Sequence, residues 1–144
     1  ILYRLVGSEM CIRDRIFVTK NHWTFLIDGT SRSAIEAALV SMVEKGDKVL
    51  IPVFGRFGHL LTEISERVGA TVIPLHKDWG EIFTEEELSD ALDQHKPSIL
   101  AICQGDTSTT MNQPLDYVGR LCRERGVISY VDATASLVGN PLPC

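Results

Sequence analysis

TFLIDGTSRSAIEAALVSMVEKGDKVLIPV, residues 24–53, decides the fold. An apolar run, Phe25 to Ile27, stops at Asp28-Gly29, passes through small hydroxylic residues and enters a helical segment. In that segment Ile35, Leu39, Met42 and Val43 fall on one stripe, and Ala34, Ala37 and Ala38 permit close approach to a sheet. Lys45-Gly46 ends the helix with a late basic residue and a glycine, and the β-branched run Lys48 to Val53 follows. Strand, turn, helix and strand in this order form the unit of a parallel α/β sheet. The turn leaves backbone N–H groups free at the head of a helix, where the dipole favours negative charge. A phosphate suits that position; so does an ordinary N-cap by Thr30 or Ser31. Arg32, a cation in the first helical turn, requires a negative group nearby unless its side chain extends into water.

The alternation continues along the chain. Strands are expected at 24–27, 48–53, 70–75, 98–103 and 127–131, and helices at 32–44, 57–68, 85–95 and 115–125. Most strands are nearly continuous apolar runs, as covered strands require. Thr84 with Glu87 forms a capping box, and Arg125-Gly126 closes the last helix. The pattern predicts a doubly wound, mostly parallel, three-layer α/β fold without repeats or linkers.

With 144 residues, 44% of them hydrophobic, and a net charge of -5, the chain suits one globular domain with a sizeable core. Mild acidity without a Lys/Arg cluster argues against a nucleic-acid surface. Cys11, Cys103, Cys122 and Cys144 stand far apart with no Cys-x-x-Cys pair, which points to reduced thiols in a cytosol. His22, His59, His76 and His95 show no ligand spacing, so no metal site is expected. No apolar run approaches the roughly 20 residues of a membrane span. Residues 1–15, ILYRLVGSEMCIRDR, show no clean period and resemble translated sequencing-adapter read-through; they are expected to be a non-native leader.

Ligands of such sheets sit beyond the carboxyl ends of the strands. Here those ends carry Asp28-Gly29-Thr30-Ser31-Arg32, then FGRFGH from Phe54, QGDTSTT from Gln104, and DATAS from Asp132. Together they are suited to clasp one planar, phosphorylated molecule. Asp132 follows the apolar VISYV directly, and a buried carboxylate there must face a helix N-terminus, a metal or a cationic ligand group. A structural cap and a partner for a protonated ring nitrogen both satisfy that need. Thr107, Ser108, Thr109 and Thr110 serve either ligand oxygens or local backbone groups. Phe57, between Gly55 and Gly58, fits the core or a platform for a ring.

Taken in order, DGTSRSAIEAALVSMVEKGDKVLIPVFGRFGHLLTEISERVGATV, HKPSILAICQGDTSTTMNQPLDYVGRLCRERGV and YVDATASLVGNPL resemble the class V aminotransferases of pyridoxal-phosphate fold type I, in the branch of the alanine-glyoxylate, serine-pyruvate and ureidoglycine-glyoxylate enzymes. The similarity runs from about Thr24 to Leu142. It implies pyridoxal 5'-phosphate as cofactor, with Thr30, Ser31 and Arg32 in the phosphate cup and Phe57 stacked on the ring. It further implies Thr107 near the phenolic oxygen, Asp132 on the ring nitrogen and Thr134 beneath the ring. The Ser31-Arg32 pair departs from the Gly-His common in relatives, and Phe57 stands where they often carry tryptophan.

The implied parent is a cytoplasmic homodimer that transfers an amino group from alanine, serine or ureidoglycine to glyoxylate or pyruvate. A cysteine-desulfurase-like lyase and a non-catalytic phosphate- or nucleotide-binding module are the rivals. In the family the Schiff-base lysine lies after the VDATAS motif, whereas no lysine follows Asp132 here. Residues 16–144 are therefore expected to be part of a large domain, inactive and loosely folded on their own, with no catalytic residue assigned.

Overall fold

The structure, a computed structural model, describes residues 16–17 and 25–140. The leader 1–15, Thr24, His22, Cys11 and Cys144 lie outside the described residues. From residue 31 the order is α1 (Ser31–Met42), β1 (Lys48–Val53), α2 (Arg56–Arg67), β2 (Thr71–His76), α3 (Glu85–His95), β3 (Ile99–Cys103), β4 (Gly105–Asp106), β5 (Met111–Asn112), α4 (Val118–Arg125) and β6 (Ile128–Asp132).

Four strands form one parallel sheet in the order β2-β1-β3-β6. The central strands are the most apolar: every residue of β3, and all of β1 after Lys48, is buried. The flanking β2 and β6 are half-exposed, because each lacks a neighbour on one side in this sheet. With the strand order β2-β1-β3-β6, the right-handed crossover rule places α2 on one face and α3 with α4 on the other. α1 packs on α2, and α3 packs on α4. The core between the layers includes Leu39, Leu50, Ile51, Leu61, Ile64, Leu88, Leu92, Leu100 and Ile102.

β1 and α3 occur at the expected bounds, and the other helices and parallel strands fall within three residues of theirs. The capping box is complete: the Thr84 hydroxyl accepts the Glu87 N–H, and the Glu87 side chain accepts the Thr84 N–H. Gly126 takes the left-handed exit from α4 at φ 68°.

One expectation needs correction. The run Phe25 to Ile27 is not a strand; Phe25 and Leu26 are 78% and 80% exposed. An apolar run becomes a strand only when it pairs, and none of the four sheet strands takes it as a neighbour. The segment after β3 adds a short antiparallel pair, Gly105 and Asp106 against Asn112 and Met111.

The chain order makes β1 and β3 the switch point. The connection from β1 leads outward to β2, whereas that from β3 leads the other way to β6. Between their carboxyl ends a crevice opens, which is where ligands of open α/β sheets sit.

Candidate functional site

Four of the residues singled out in the sequence meet in this crevice. Ser31, Phe57, Asp132 and Thr134 line a narrow cleft of about 40 Å³ with Ile35, Leu60, Cys103, Gly105 and Ala135. The cleft adjoins a wider, largely apolar one of about 970 Å³, which shares Ser31, Ile35, Asp132 and Thr134 and extends along α1 past Phe25 to Ile27. Each residue arrives by a different element: Ser31 opens α1, Phe57 lies in the first turn of α2, Cys103 ends β3 and Asp132 ends β6.

Asp132 is 5% exposed and pairs in register with Cys103. Its Oδ1 accepts the Thr134 N–H at 3.0 Å and the Thr134 hydroxyl at 2.6 Å. The capping role weighed from sequence is thus real, but it occupies one oxygen; among the described residues Oδ2 takes no hydrogen bond. Asp132 is the one carboxylate among the residues that line the narrow cleft. The ionisable groups beside it stay neutral at physiological pH. Burial, then the nearby Asp132 and Asp106 carboxylates, pushes the Cys103 thiol up to about 12. Burial and Asp132 also raise the Tyr130 phenol.

The start of α1 has no side-chain cap. Thr30 is the N-cap residue, yet its hydroxyl makes no capping bond and instead meets the Ser33 hydroxyl at 3.4 Å. No acidic residue occupies the first turn. The amides of Ser31 and Arg32, without partners among the described residues, therefore remain available to an anion. The Arg32 side chain has its negative partners within the protein: Glu36 lies at 3.7 Å and Glu63 at 3.8 Å, all about half exposed.

Thr107 stands apart from the narrow cleft. It lines an adjacent pocket with Gly105, Asp106, Thr110 and Ala135, and Gly105 and Ala135 are common to both. The other hydroxyls of QGDTSTT satisfy local groups: Ser108 and Thr109 bond to Asp106, and Thr110 to the Thr109 carbonyl. Asp106 itself carried no role in the sequence reading. It is buried and reaches the α2 N-terminus, where its Oδ2 accepts the Phe57 N–H at 2.9 Å. Gln104 is a second such case: it is buried with its Oε1 accepting the Ser136 hydroxyl at 2.6 Å, which ties the β3 exit to the β6 exit. Neither contact has a local sequence signal.

The arrangement offers a buried carboxylate, a ring face and an uncapped helix start around one cleft. That donor set suits a flat, cationic heterocycle carrying a phosphate. Among the described residues no group of three His, Cys, Asp or Glu is placed to hold a metal ion, and no helix is long and apolar enough to cross a membrane.

Comparison with known proteins gives the arrangement a context. The family model for aminotransferase class V matches residues 8–143. The chain is 48% identical to the (S)-ureidoglycine–glyoxylate transaminase of Bacillus subtilis over 94% of its own length and 32% of that protein. It is 44% identical to the alanine–glyoxylate aminotransferase of Felis catus over 88% of its length and 31% of that protein. The crystal structure of an alanine–glyoxylate aminotransferase from Nostoc sp. superposes with a TM-score of 0.87 at 45% identity, covering 90% of this chain and 34% of that one. The chain thus spans about a third of the length of the relatives it matches.

Proposed function

Because this chain belongs to the class V aminotransferases, we propose that its cleft holds pyridoxal 5'-phosphate in an enzyme that aminates a small 2-oxo acid. Glyoxylate is the preferred acceptor in this proposal and pyruvate the second, with alanine, serine or ureidoglycine as donor. The B. subtilis and F. catus relatives, both glyoxylate transaminases, support that choice. Residues 16–144 are then part of the large, cofactor-binding domain.

The observation that carries the proposal is Asp132, a buried carboxylate at the rim of a parallel sheet with one oxygen held by Thr134 and the other unbonded among the described residues. The residues present fit the cofactor. A protonated ring nitrogen needs a carboxylate of this kind, and a phosphate needs the uncapped amides at Ser31 and Arg32.

When bound, the cofactor supplies an electron-withdrawing ring that stabilises charge developing at the donor's Cα. The chain supplies the setting for that chemistry. Asp132 would hold the proton on the ring nitrogen, and the neutral Cys103 and Tyr130 beside it add no competing charge. Thr134 fixes the Asp132 carboxylate through its N–H and hydroxyl, and Phe57 would give the ring an apolar face. Thr30, Ser31 and Arg32 would hold the phosphoryl group at the α1 start, and Thr107, in the adjacent pocket, would serve the phenolic oxygen.

The proposal extends to a cytoplasmic homodimer. Buried, free Cys103 and Cys122 are consistent with a reducing compartment, and the family resemblance supports the dimer, which sedimentation of the complete protein tests. The activity itself is tested by incubating the complete protein with pyridoxal 5'-phosphate, glyoxylate and each donor in turn. Cofactor-dependent glycine formation with at least one donor is expected. Absence of amination with all three donors and both acceptors contradicts the proposal.

A further inference from the structure

The loops after β1 and β3 meet at the switch point through Gly55 and Asp106. Asp106 is 1% exposed and its carboxylate accepts three hydrogen bonds. Oδ2 takes the Phe57 N–H at 2.9 Å; Oδ1 takes the Ser108 N–H at 3.0 Å and the Ser108 hydroxyl at 2.5 Å. The same hydroxyl accepts the Arg56 N–H at 2.9 Å. Two successive amides at the head of α2 are thus satisfied from a segment 49 to 52 residues further along the chain.

The local sequence provides no substitute. Gly55 is the N-cap residue of α2 and has no side chain to cap with. A Cβ at Gly55 would lie 2.4 Å from the Asp106 carboxylate, so the absence of a side chain there is what lets the carboxylate reach the helix. Gly55 has φ -177°, an extended conformation open to any residue, so close approach and not backbone freedom explains the glycine.

Phe57 is the residue whose amide is held, and its ring lines the cleft with Asp132 and Thr134. The first turn of a helix without caps frays, and a ring carried on a frayed turn loses its fixed distance to a partner surface. Van der Waals contact falls off over less than 1 Å of separation, so the ring needs a fixed base.

We propose that Asp106 is a positioning residue for the cofactor site: its carboxylate fixes the first turn of α2 and thereby aims the Phe57 ring into the cleft. This rests on the function proposed above. Asp106 touches neither cofactor nor substrate in this account and acts through Phe57.

The test is a double-substitution cycle on the complete protein, with the dissociation constant for pyridoxal 5'-phosphate measured by equilibrium dialysis. The four species are wild type, Asp106→Asn, Phe57→Ala and the combination. Asparagine keeps the shape but presents one acceptor oxygen, so either the Phe57 or the Ser108 donors lose their partner. Phe57→Ala is expected to weaken binding about tenfold, the scale of one aromatic contact. Asp106→Asn is expected to weaken it about fivefold alone and less than about twofold in the Phe57→Ala background, because coupled residues are non-additive. Equal losses in both backgrounds, or no loss from Asp106→Asn while Phe57→Ala weakens binding, overturns the positioning role and leaves the proposed function standing. No effect of Phe57→Ala overturns the ring assignment together with the inference, and no cofactor binding by wild type overturns the function as well. Thermal midpoints of the cofactor-free proteins separate folding loss from aim. Should Asp106→Asn not fold, Ser108→Ala removes the acceptor for the Arg56 amide and is expected to weaken binding about twofold, again only when Phe57 is present.

Discussion

Gly55→Ala should be among the most damaging single-methyl additions to this protein, and the structure gives the size of the effect. The new Cβ would stand 2.4 Å from Asp106 Cγ and Oδ2 and 2.7 Å from Oδ1. Ordinary contact begins near 3.4 Å, so the carboxylate must withdraw by about 1 Å. That movement breaks the 2.9 Å bond from the Phe57 N–H and strains those from Ser108. Loss of one bond to a charged acceptor costs about 1.5–3 kcal/mol. Overpacking adds about 1–3 kcal/mol. The reduced freedom of the unfolded chain returns about 0.4–1 kcal/mol. The net loss is about 2–5 kcal/mol, a fall in Tm of roughly 5–20 °C for a domain of this size. Urea unfolding followed by circular dichroism measures it, with the slope unchanged if the transition remains two-state. Gly119→Ala is the control: it lies in α4 with no atom within 4 Å of the added Cβ, and is expected to stabilise by about 0.5–1 kcal/mol. A loss below about 1 kcal/mol at Gly55 refutes the claim that Asp106 is held where the geometry places it.

Three further outcomes follow from other parts of the molecule. Ser65 is fully buried on α2 and its hydroxyl has no hydrogen-bond partner among the described residues, so Ser65→Ala should raise stability by about 1 kcal/mol, read as a higher urea midpoint. Cys103 and Cys122, with thiols pushed up to about 12 and about 11 mainly by burial, should resist iodoacetamide at pH 8 in the native state and react only on unfolding; peptide mapping that finds either labelled within minutes in native protein contradicts this. Hydrogen bonds from Arg125 and Lys77 hold the Asp93 and Glu87 carboxyls below their ordinary range. Groups with depressed values stabilise the fold above their unfolded values, and that contribution is lost as pH falls through the lower, folded ones. Stability should therefore decline as pH drops below about 4, and Arg125→Ala should flatten that decline; an unchanged acid slope counts against the assignment.

How far the sequence carried the fold depends on where each determinant sits. β1 and β3 are legible because a strand covered on both faces is a nearly continuous apolar run, and α3 because its start is written locally in Thr84 and Glu87. The ends of other helices shift where the signal is tertiary. α1 stops at Met42 because Val43 is already extended, and α4 starts only at Val118, after the turn at Asp116 and Tyr117. The run Phe25 to Ile27 looked like a strand because apolar character is local whereas pairing is not.

The site divides in the same way. Asp132 was visible because a carboxylate at the end of an apolar strand must be accounted for, and Ser31, Phe57 and Thr134 because they flank strand ends. Asp106 was invisible: in the sequence it is one more polar residue in a hydroxyl-rich loop, and its meaning arises only when β1 and β3 lie side by side and bring it to Gly55. The Arg32 side chain illustrates the converse, since the negative charge its position demanded is supplied by Glu36 and Glu63.

The central claim is that the unbonded oxygen of Asp132 anchors the ring nitrogen of bound pyridoxal 5'-phosphate. Equilibrium dialysis of the complete protein and its Asp132→Ala variant against the cofactor tests it most directly. Removing one partner of a buried charged pair costs at least about 2 kcal/mol, so the variant should bind at least about thirtyfold more weakly. A dissociation constant within twofold of wild type contradicts the account.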